Sequence, residues 1–298
     1  MRLFSVVVPT YNHAQFLGKA LESVLTQDCQ DFEIVVVDDG STDATPQILA
    51  SFADRIRIVH QDNQGPGAAR NLGVKNSTGE YIAFLDSDDF WFPWTLATYA
   101  QIIKEKNRPT LIAGTLVYFH QETEVNGLAL KPLALENFPD YLAASRRGLY
   151  CGTNRMVVRR AAVLEAGGFA KGKFNGEDHD LVMRLGTAPG FVNVNAPAMV
   201  AYRQHTGALT QDLSKTFMGL VYLLHMEKAG RYPGGRNRRR ERRRILAFHA
   251  RPLSLALLRQ KEYQKAWALY RQTFVWNLAL GRLRYLAGFF VKAVLSLV

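Results

Sequence analysis

Cysteine is nearly absent. The 298-residue chain has two, Cys29 and Cys151, too few for a disulfide framework and not spaced as a Cys-x-x-Cys metal or redox pair. They read as buried thiols of a protein in a reducing compartment. Long apolar runs are missing from the C-terminal region as well: beyond residue 230 no uncharged stretch approaches the roughly 20 residues that a membrane-crossing helix needs. The short opening run, Leu3–Pro9, lacks the length and cleavage site of a secretory signal and is expected to form a first strand, which points to the cytoplasm. No Gly-x-Gly-x-x-Gly or Walker spacing appears, which argues against dinucleotide binding and P-loop hydrolysis. Apolar residues are not scarce. They make up 48% of the chain, with 21% charged, so disorder is excluded and the length suffices for one large domain or a domain plus an appendage.

Acid is scarce in one region only. The net charge is +11, but residues 1–230 hold 21 Lys and Arg against 24 Asp and Glu, whereas residues 231–298 hold 16 against 2. The basic character therefore belongs to a tail and says nothing about the main domain's ligand. Charge this lopsided marks an appendage for a polyanion, either nucleic acid or an anionic membrane face.

What is present is an alternation of strand and helix. Near-continuous apolar runs at Leu3–Pro9, Phe32–Val37, Ile56–His60 and Glu80–Leu85 predict buried strands, with helical spacing over Gln15–Gln27 and a short helix after the turn NQGPGAARNLG. Ser41, Thr42 and Asp43 offer N-cap chemistry for a helix reaching about Phe52. The expected fold is α/β, a mostly parallel sheet flanked by helices, with a basic amphipathic helical region at the C-terminal end. A further strand is expected at Leu111–Phe119, then a loop to about Asn137, a helix start at GEDHDLVMRL and a strand near Met199–Arg203. The expected division is a catalytic domain over 1–230, its two parts meeting near residue 120, and a tail over 231–298. In such sheets ligands bind beyond the carboxyl ends of the strands, where the polar clusters PTYN, DDGSTD and DSDD all fall.

Adjacent carboxylates repel and raise one another's pKa unless a cation is present. Asp86, Asp88 and Asp89 therefore suggest a hard, oxygen-preferring ion, Mg²⁺ or Mn²⁺, shared with substrate phosphates; the alternative is a solvated acidic turn. Asp38 and Asp39 could bind a nucleoside's ring N–H or ribose hydroxyls, or merely cap the following helix. Gly65, Pro66 and Gly67 with Arg70 offer backbone N–H groups and a guanidinium suited to a diphosphate, unless Arg70 lies on the surface. Glu177 and Asp178 are candidates for a general base, or simply acids favoured by a helix dipole. His205 is a candidate metal or phosphate contact, or a structural histidine.

Together, SVVVPTYN (5–12), VVDDGSTDAT (36–45), NQGPGAARNLG (63–73), FLDSDD (84–89) and GEDHDL (176–181) resemble the family-2 glycosyltransferases, inverting enzymes of the GT-A fold, over about residues 3–210. The resemblance implies a nucleotide-sugar donor, commonly a UDP-sugar, a divalent metal, and attack by an acceptor hydroxyl. By position it implies that Pro9, Thr10 and Tyr11 line the nucleobase pocket, that Asp38 or Asp39 bonds the base, and that Arg70 lies near base or diphosphate. Asp86 and Asp88 would form the DxD motif, Asp86 nearer the ribose and Asp88 nearer the metal, with His205 a further metal or phosphate contact. Asp178 would be the catalytic base, supported by Glu177. The stretch after Tyr202 reads RQHTGALTQ and not the QxxRW of processive polymerases, which favours one transfer per encounter. A catalytically silent nucleotide-binding scaffold and a sugar nucleotidyltransferase are the alternatives, the latter lacking its expected Gly-rich loop with Lys.

The tail interleaves RNRRRERRR with apolar helical stretches carrying Trp267, Trp276, Tyr285, Phe289 and Phe290. This pattern suits the interface of an anionic leaflet, and so a peripheral protein on the inner face of the cell membrane with a glycan or lipid-linked acceptor. Packing of the tail on the main domain is the alternative. Nucleic acid ranks below both, because apolar helices are poor companions for it.

Overall fold

A computed structural model describes residues 2–149, 151–172, 174–205 and 212–295. The chain runs β1 (Phe4–Thr10), α1 (Ala14–Leu25), β2 (Phe32–Asp38), α2 (Thr45–Ala50), β3 (Arg57–His60), α3 (Pro66–Lys75), β4 (Tyr81–Phe84), β5 (Phe90–Trp91) and α4 (Thr95–Glu105). It continues through β6 (Leu111–Phe119), β7 (Ala134–Phe138), β8 (Met156–Arg159), α5 (Arg160–Glu165), α6 (Glu177–Arg184) and β9 (Phe191–Arg203), then four helices, α7 (Leu213–Lys228), α8 (Arg239–Arg259), α9 (Tyr263–Ala279) and α10 (Leu283–Leu295).

The chain divides into two compact units. The first comprises residues 1–141, 150–173 and 188–206; the second comprises 142–149, 174–187 and 207–298. The helices beyond residue 230 fall in the unit that also takes in α6 and the 3₁₀ turn Leu142–Arg147.

The first unit holds one nine-stranded sheet in the order β3-β2-β1-β4-β8-β6-β9-β5, with β7 paired to β9. Its first half is parallel, as βαβ crossovers require: β1 pairs with both β2 and β4, and β2 with β3. The second half is mixed, because β8 runs antiparallel to β4 and β6. All seven residues of β1 are buried, since helices cover the sheet on both faces. Gly73 of α3 lets that helix approach closely: a Cβ there would lie 2.4 Å from Val7 Cγ1.

Two local expectations are corrected. The helix after the DDGSTD segment begins at Thr45, whose N–H Asp43 Oδ1 accepts at 2.9 Å, whereas Ser41 and Thr42 do not cap it. Asn12 takes them instead: its Oδ1 accepts the N–H of Thr42 at 2.7 Å, and its own N–H donates to Ser41 Oγ at 3.0 Å. The expected loop before Asn137 contains the edge strand β7, and the strand expected near Met199 starts eight residues earlier, at Phe191.

In the second unit, part of the arginine run is internal. Arg242 is buried and donates Nε to Glu227 Oε2 at 2.6 Å, and its Nη1 and Nη2 reach the carbonyls of Pro233 and Gly235. Arg243 lies 3.7 Å from Glu227 and 4.9 Å from the Trp276 ring centre. Among the described residues no helix is long and apolar enough to cross a membrane.

Candidate active site

In the first unit, parallel register sets Thr10 beside Asp38 and Asp38 beside His60, so the ends of β1, β2 and β3 form one polar rim. Pro9 and Thr10 are buried there, while Tyr11 is 44% exposed. Thr10 Oγ1 is buried and finds no hydrogen-bond partner among the described residues.

The acidic pair that follows β2 is engaged by main chain. Asp38 Oδ1 accepts the Ser41 N–H at 3.0 Å, and Oδ2 lies 3.3 Å from His60 Nδ1. Asp39 accepts Gln61 Nε2 at 2.6 Å and the N–H groups of Gln64 and Gly65 at 2.9 and 2.8 Å. Charge-assisted bonds to backbone N–H are among the strong ones, so Asp39 shapes the loop that leads into α3. Gly65 has φ +92, a left-handed conformation that a side chain would strain.

Arg70, on α3, is buried rather than a surface residue. It donates Nη2 to Asp86 Oδ1 at 2.7 Å, with the Phe169 ring centre 5.7 Å from its guanidinium carbon. Two residues on, Asp88 Oδ2 lies 2.9 Å from His205 Nε2, beyond the end of β9. Sequence reasoning assigned both acids to one site but did not foresee these two partners' geometry.

Asp89 serves the frame. It is buried, accepting Asn154 Nδ2 and the Arg203 N–H, each at 2.9 Å. Burial, then the charges of Asp88 and Asp86, push its carboxyl well above the ordinary carboxylate range. Arg203 ties the floor together: Nε donates to the Asp88 carbonyl at 3.0 Å, Nη2 pairs with Glu122 at 3.0 Å, and its guanidinium lies between the Phe16 and Phe119 rings. His13 Nδ1 lies 2.8 Å from Ser87 Oγ, and its ring is 6.3 Å from that of His205. Asn154, Arg203 and His13 were missed because no local motif carries them; their partners lie 65 to 115 residues away.

The donor set of Asp86, Asp88 and His205, two carboxylates and an imidazole, has the chemistry of a Mn²⁺ or Mg²⁺ site completed by phosphate oxygens. The crowding that raises Asp89 is what a cation would relieve. Among the described residues no three such side chains are already gathered about one point.

In the second unit, Gly176, with φ +113, turns the chain into α6. Glu177 and Asp178 open the helix and are both buried. Glu177 Oε2 accepts the Gly176 N–H at 3.0 Å, and Asp178 Oδ1 accepts the His179 N–H at 2.7 Å. Asp180 is structural: Oδ2 pairs with Arg184 at 2.7 Å and Oδ1 accepts the Tyr232 hydroxyl at 3.0 Å.

The sequence profile of glycosyl transferase family 2 matches residues 5–165. The chain belongs to glycosyl transferase family 2. An uncharacterized glycosyltransferase of Rickettsia felis is 45% identical over 105 residues, which are 35% of this chain and 17% of that protein. The chain thus spans less than a fifth of that relative's length. Family-2 membership accords with the fold. TarS of S. aureus, solved with UDP-GlcNAc, has a TM-score of 0.67 at 24% identity, covering 84% of this chain and 72% of that one. The mannosyltransferase PcManGT from Pyrobaculum calidifontis, in complex with GDP-Man and Mn²⁺, has a TM-score of 0.54 at 19% identity, covering 98% and 87%. The fold is that of the GT-A glycosyltransferases. Residues 206–211, which include the whole GALTQ segment, lie outside the described residues.

Proposed function

We propose that this chain transfers one sugar, with inversion, from a nucleoside diphosphate sugar to a hydroxyl of a glycan or lipid-linked acceptor, using Mn²⁺ or Mg²⁺. The observation that carries the reading is the pairing of Asp88 with His205 beside that of Asp86 with Arg70, at the carboxyl ends of the strands, where open α/β sheets bind their ligands. A UDP-sugar is the proposed donor, as in the TarS complex; the GDP-Man of PcManGT marks the other base to be tested.

Each residue has a task in this reading. Thr10 and Tyr11, with Pro9, meet the nucleobase, and Asp38 or Asp39 bonds its N–H. Arg70 holds Asp86 toward the ribose. Asp88, Asp86 and His205 hold the divalent ion, which when bound offsets the charge of the departing diphosphate. Asp178 takes the proton of the acceptor hydroxyl, and Glu177 supports it. The acceptor oxygen then bonds to the anomeric carbon as the bond to the diphosphate breaks and its electron pair leaves with the nucleotide.

We propose further that the second unit rests on an anionic membrane face. Arg240, Arg244, Arg251 and Arg282 make no ion pair among the described residues, and Phe274, Val275, Leu278, Phe290 and Val291 are exposed on α9 and α10. Cationic side chains and exposed apolar ones within one unit favour a charged lipid surface. The test of the transfer reading is release of nucleotide from UDP-, GDP- and TDP-sugars with Mn²⁺, wild type against Asp178→Asn. Release by the wild type, lost in Asp178→Asn while nucleotide still binds, supports it. Equal release by both removes Asp178 from the role of base.

A further inference from the structure

Asp178 and His179 are adjacent in sequence, and their side chains meet. Consecutive helical side chains do not face one another, yet here His179 Nδ1 lies 2.8 Å from Asp178 Oδ1, the same oxygen that accepts the His179 N–H. The His179 side chain is 18% exposed, and its ring is met edge-on by His249, with ring centres 4.3 Å apart and planes at 84°. His249 comes from α8, in the basic region beyond residue 230, and Phe248 backs it with ring centres 5.5 Å apart.

We propose that His179 is a positioning residue for Asp178, fixing one carboxylate oxygen and keeping the group ionised, and that His249 locks the His179 ring. This rests on the reading of Asp178 as the base. A buried carboxyl tends to take up a proton, and a protonated one cannot accept the acceptor's. An Nδ1–H aimed at Oδ1 opposes that.

The charges around the pair agree with this geometry. Burial works against a charged His179, but the charge and hydrogen bond of Asp178, with the charge of Glu177, outweigh it and raise the imidazole above its ordinary value. His249 goes the other way: burial, then the positive His179, hold it well below, with only a weak opposing pull from Asp178. One positive charge is thus confined to the ring beside the carboxylate. A second at 4.3 Å would repel it, so a neutral His249 can hold the ring without competing.

The test uses the full chain with ¹⁵N-labelled histidine. Titration by NMR reads each imidazole, with His179→Asn and His249→Phe assigning the two of interest among the seven histidines. The expected midpoint of His179 lies above the ordinary value and drops in Asp178→Asn. Nucleotide release then reads function. His179→Leu should lower kcat about ten- to a hundred-fold, leave the donor KM unchanged and move the acid limb of the pH profile upward. His179→Asn, whose Nδ2 replaces the Nδ1–H, should recover most of the loss. The spectrum of the unaltered protein decides the pairing even if His179→Leu does not fold. A His179 midpoint indifferent to Asp178→Asn overturns the proposal, as does a wild-type pH profile in folded His179→Leu. If the pairing is seen but Asp178→Asn still turns over, the assignment of the base has failed, and the role of His179 with it.

Discussion

His205 Nε2 and Asp88 Oδ2 lie 2.9 Å apart, although 117 residues separate them in the chain. One stands beyond the end of β9 and the other in the loop after β4, strands that are not neighbours in the sheet. An imidazole nitrogen and a carboxylate oxygen are both metal donors, so a cation bound between them would take the place of this contact. His205→Ala should therefore weaken Mn²⁺-dependent nucleotide binding about ten- to a hundred-fold while leaving metal-free binding nearly unchanged. Calorimetric titration with and without Mn²⁺ checks this.

Arg242 and Glu227 form a buried ion pair in the second unit, with side chains 4% and 2% exposed. Removing Arg242 leaves the buried Glu227 with only the 3.7 Å contact of Arg243, so Arg242→Met should cost about 3 kcal/mol of stability. The double change Arg242→Met with Glu227→Leu should return much of it, because an apolar pair of similar volume avoids the desolvation penalty. Urea denaturation of the single and double variants measures the difference.

His249 makes stability depend on pH in a definite direction. Its native pKa is held well below the ordinary 6.5, so the unfolded chain binds a proton that the native state refuses. Its burial costs nothing above about pH 6.5 and destabilises progressively as pH falls below that value. His179 has the opposite sign: raised in the native state, it stabilises most below its unfolded pKa, and that contribution fades as pH rises through the folded value. His249→Phe should therefore flatten the fall in Tm between about pH 7 and pH 5. Thermal melts across that range check it.

Binding to lipid should depend on charge and on the leaflet. The protein should sediment with vesicles containing phosphatidylglycerol and not with neutral phosphatidylcholine ones. Arg240→Glu with Arg244→Glu should weaken the binding by about thirty-fold, at about 1 kcal/mol per basic residue removed from the surface. Equal sedimentation with both vesicle types would count against an electrostatic surface.

The strand ends were legible from sequence because buried parallel strands are continuous apolar runs, and PTYN, DDGSTD and DSDD terminate three of them. The local partners were not. Asp38 and Asp39 read as groups offered to a ligand, yet the main chain of residues 41 and 64–65 already bonds them. The capping role given to Ser41 and Thr42 failed because Asn12, 29 and 30 residues back, competes for them. Arg70 gave no sign in the sequence of pointing inward to Asp86. His249 looked like part of a basic tail, and only the packing of α8 brings it to His179. Contacts of this kind depend on tertiary approach, which periodicity and spacing do not encode.

The most direct test of the donor site is thermal stability with UDP, GDP and TDP, each with Mn²⁺, Mg²⁺ or EDTA, for the wild type and Asp88→Ala. The account predicts a rise in Tm of a few degrees with UDP and Mn²⁺, lost with EDTA and in Asp88→Ala. No shift with any nucleotide and metal at millimolar concentration would contradict it.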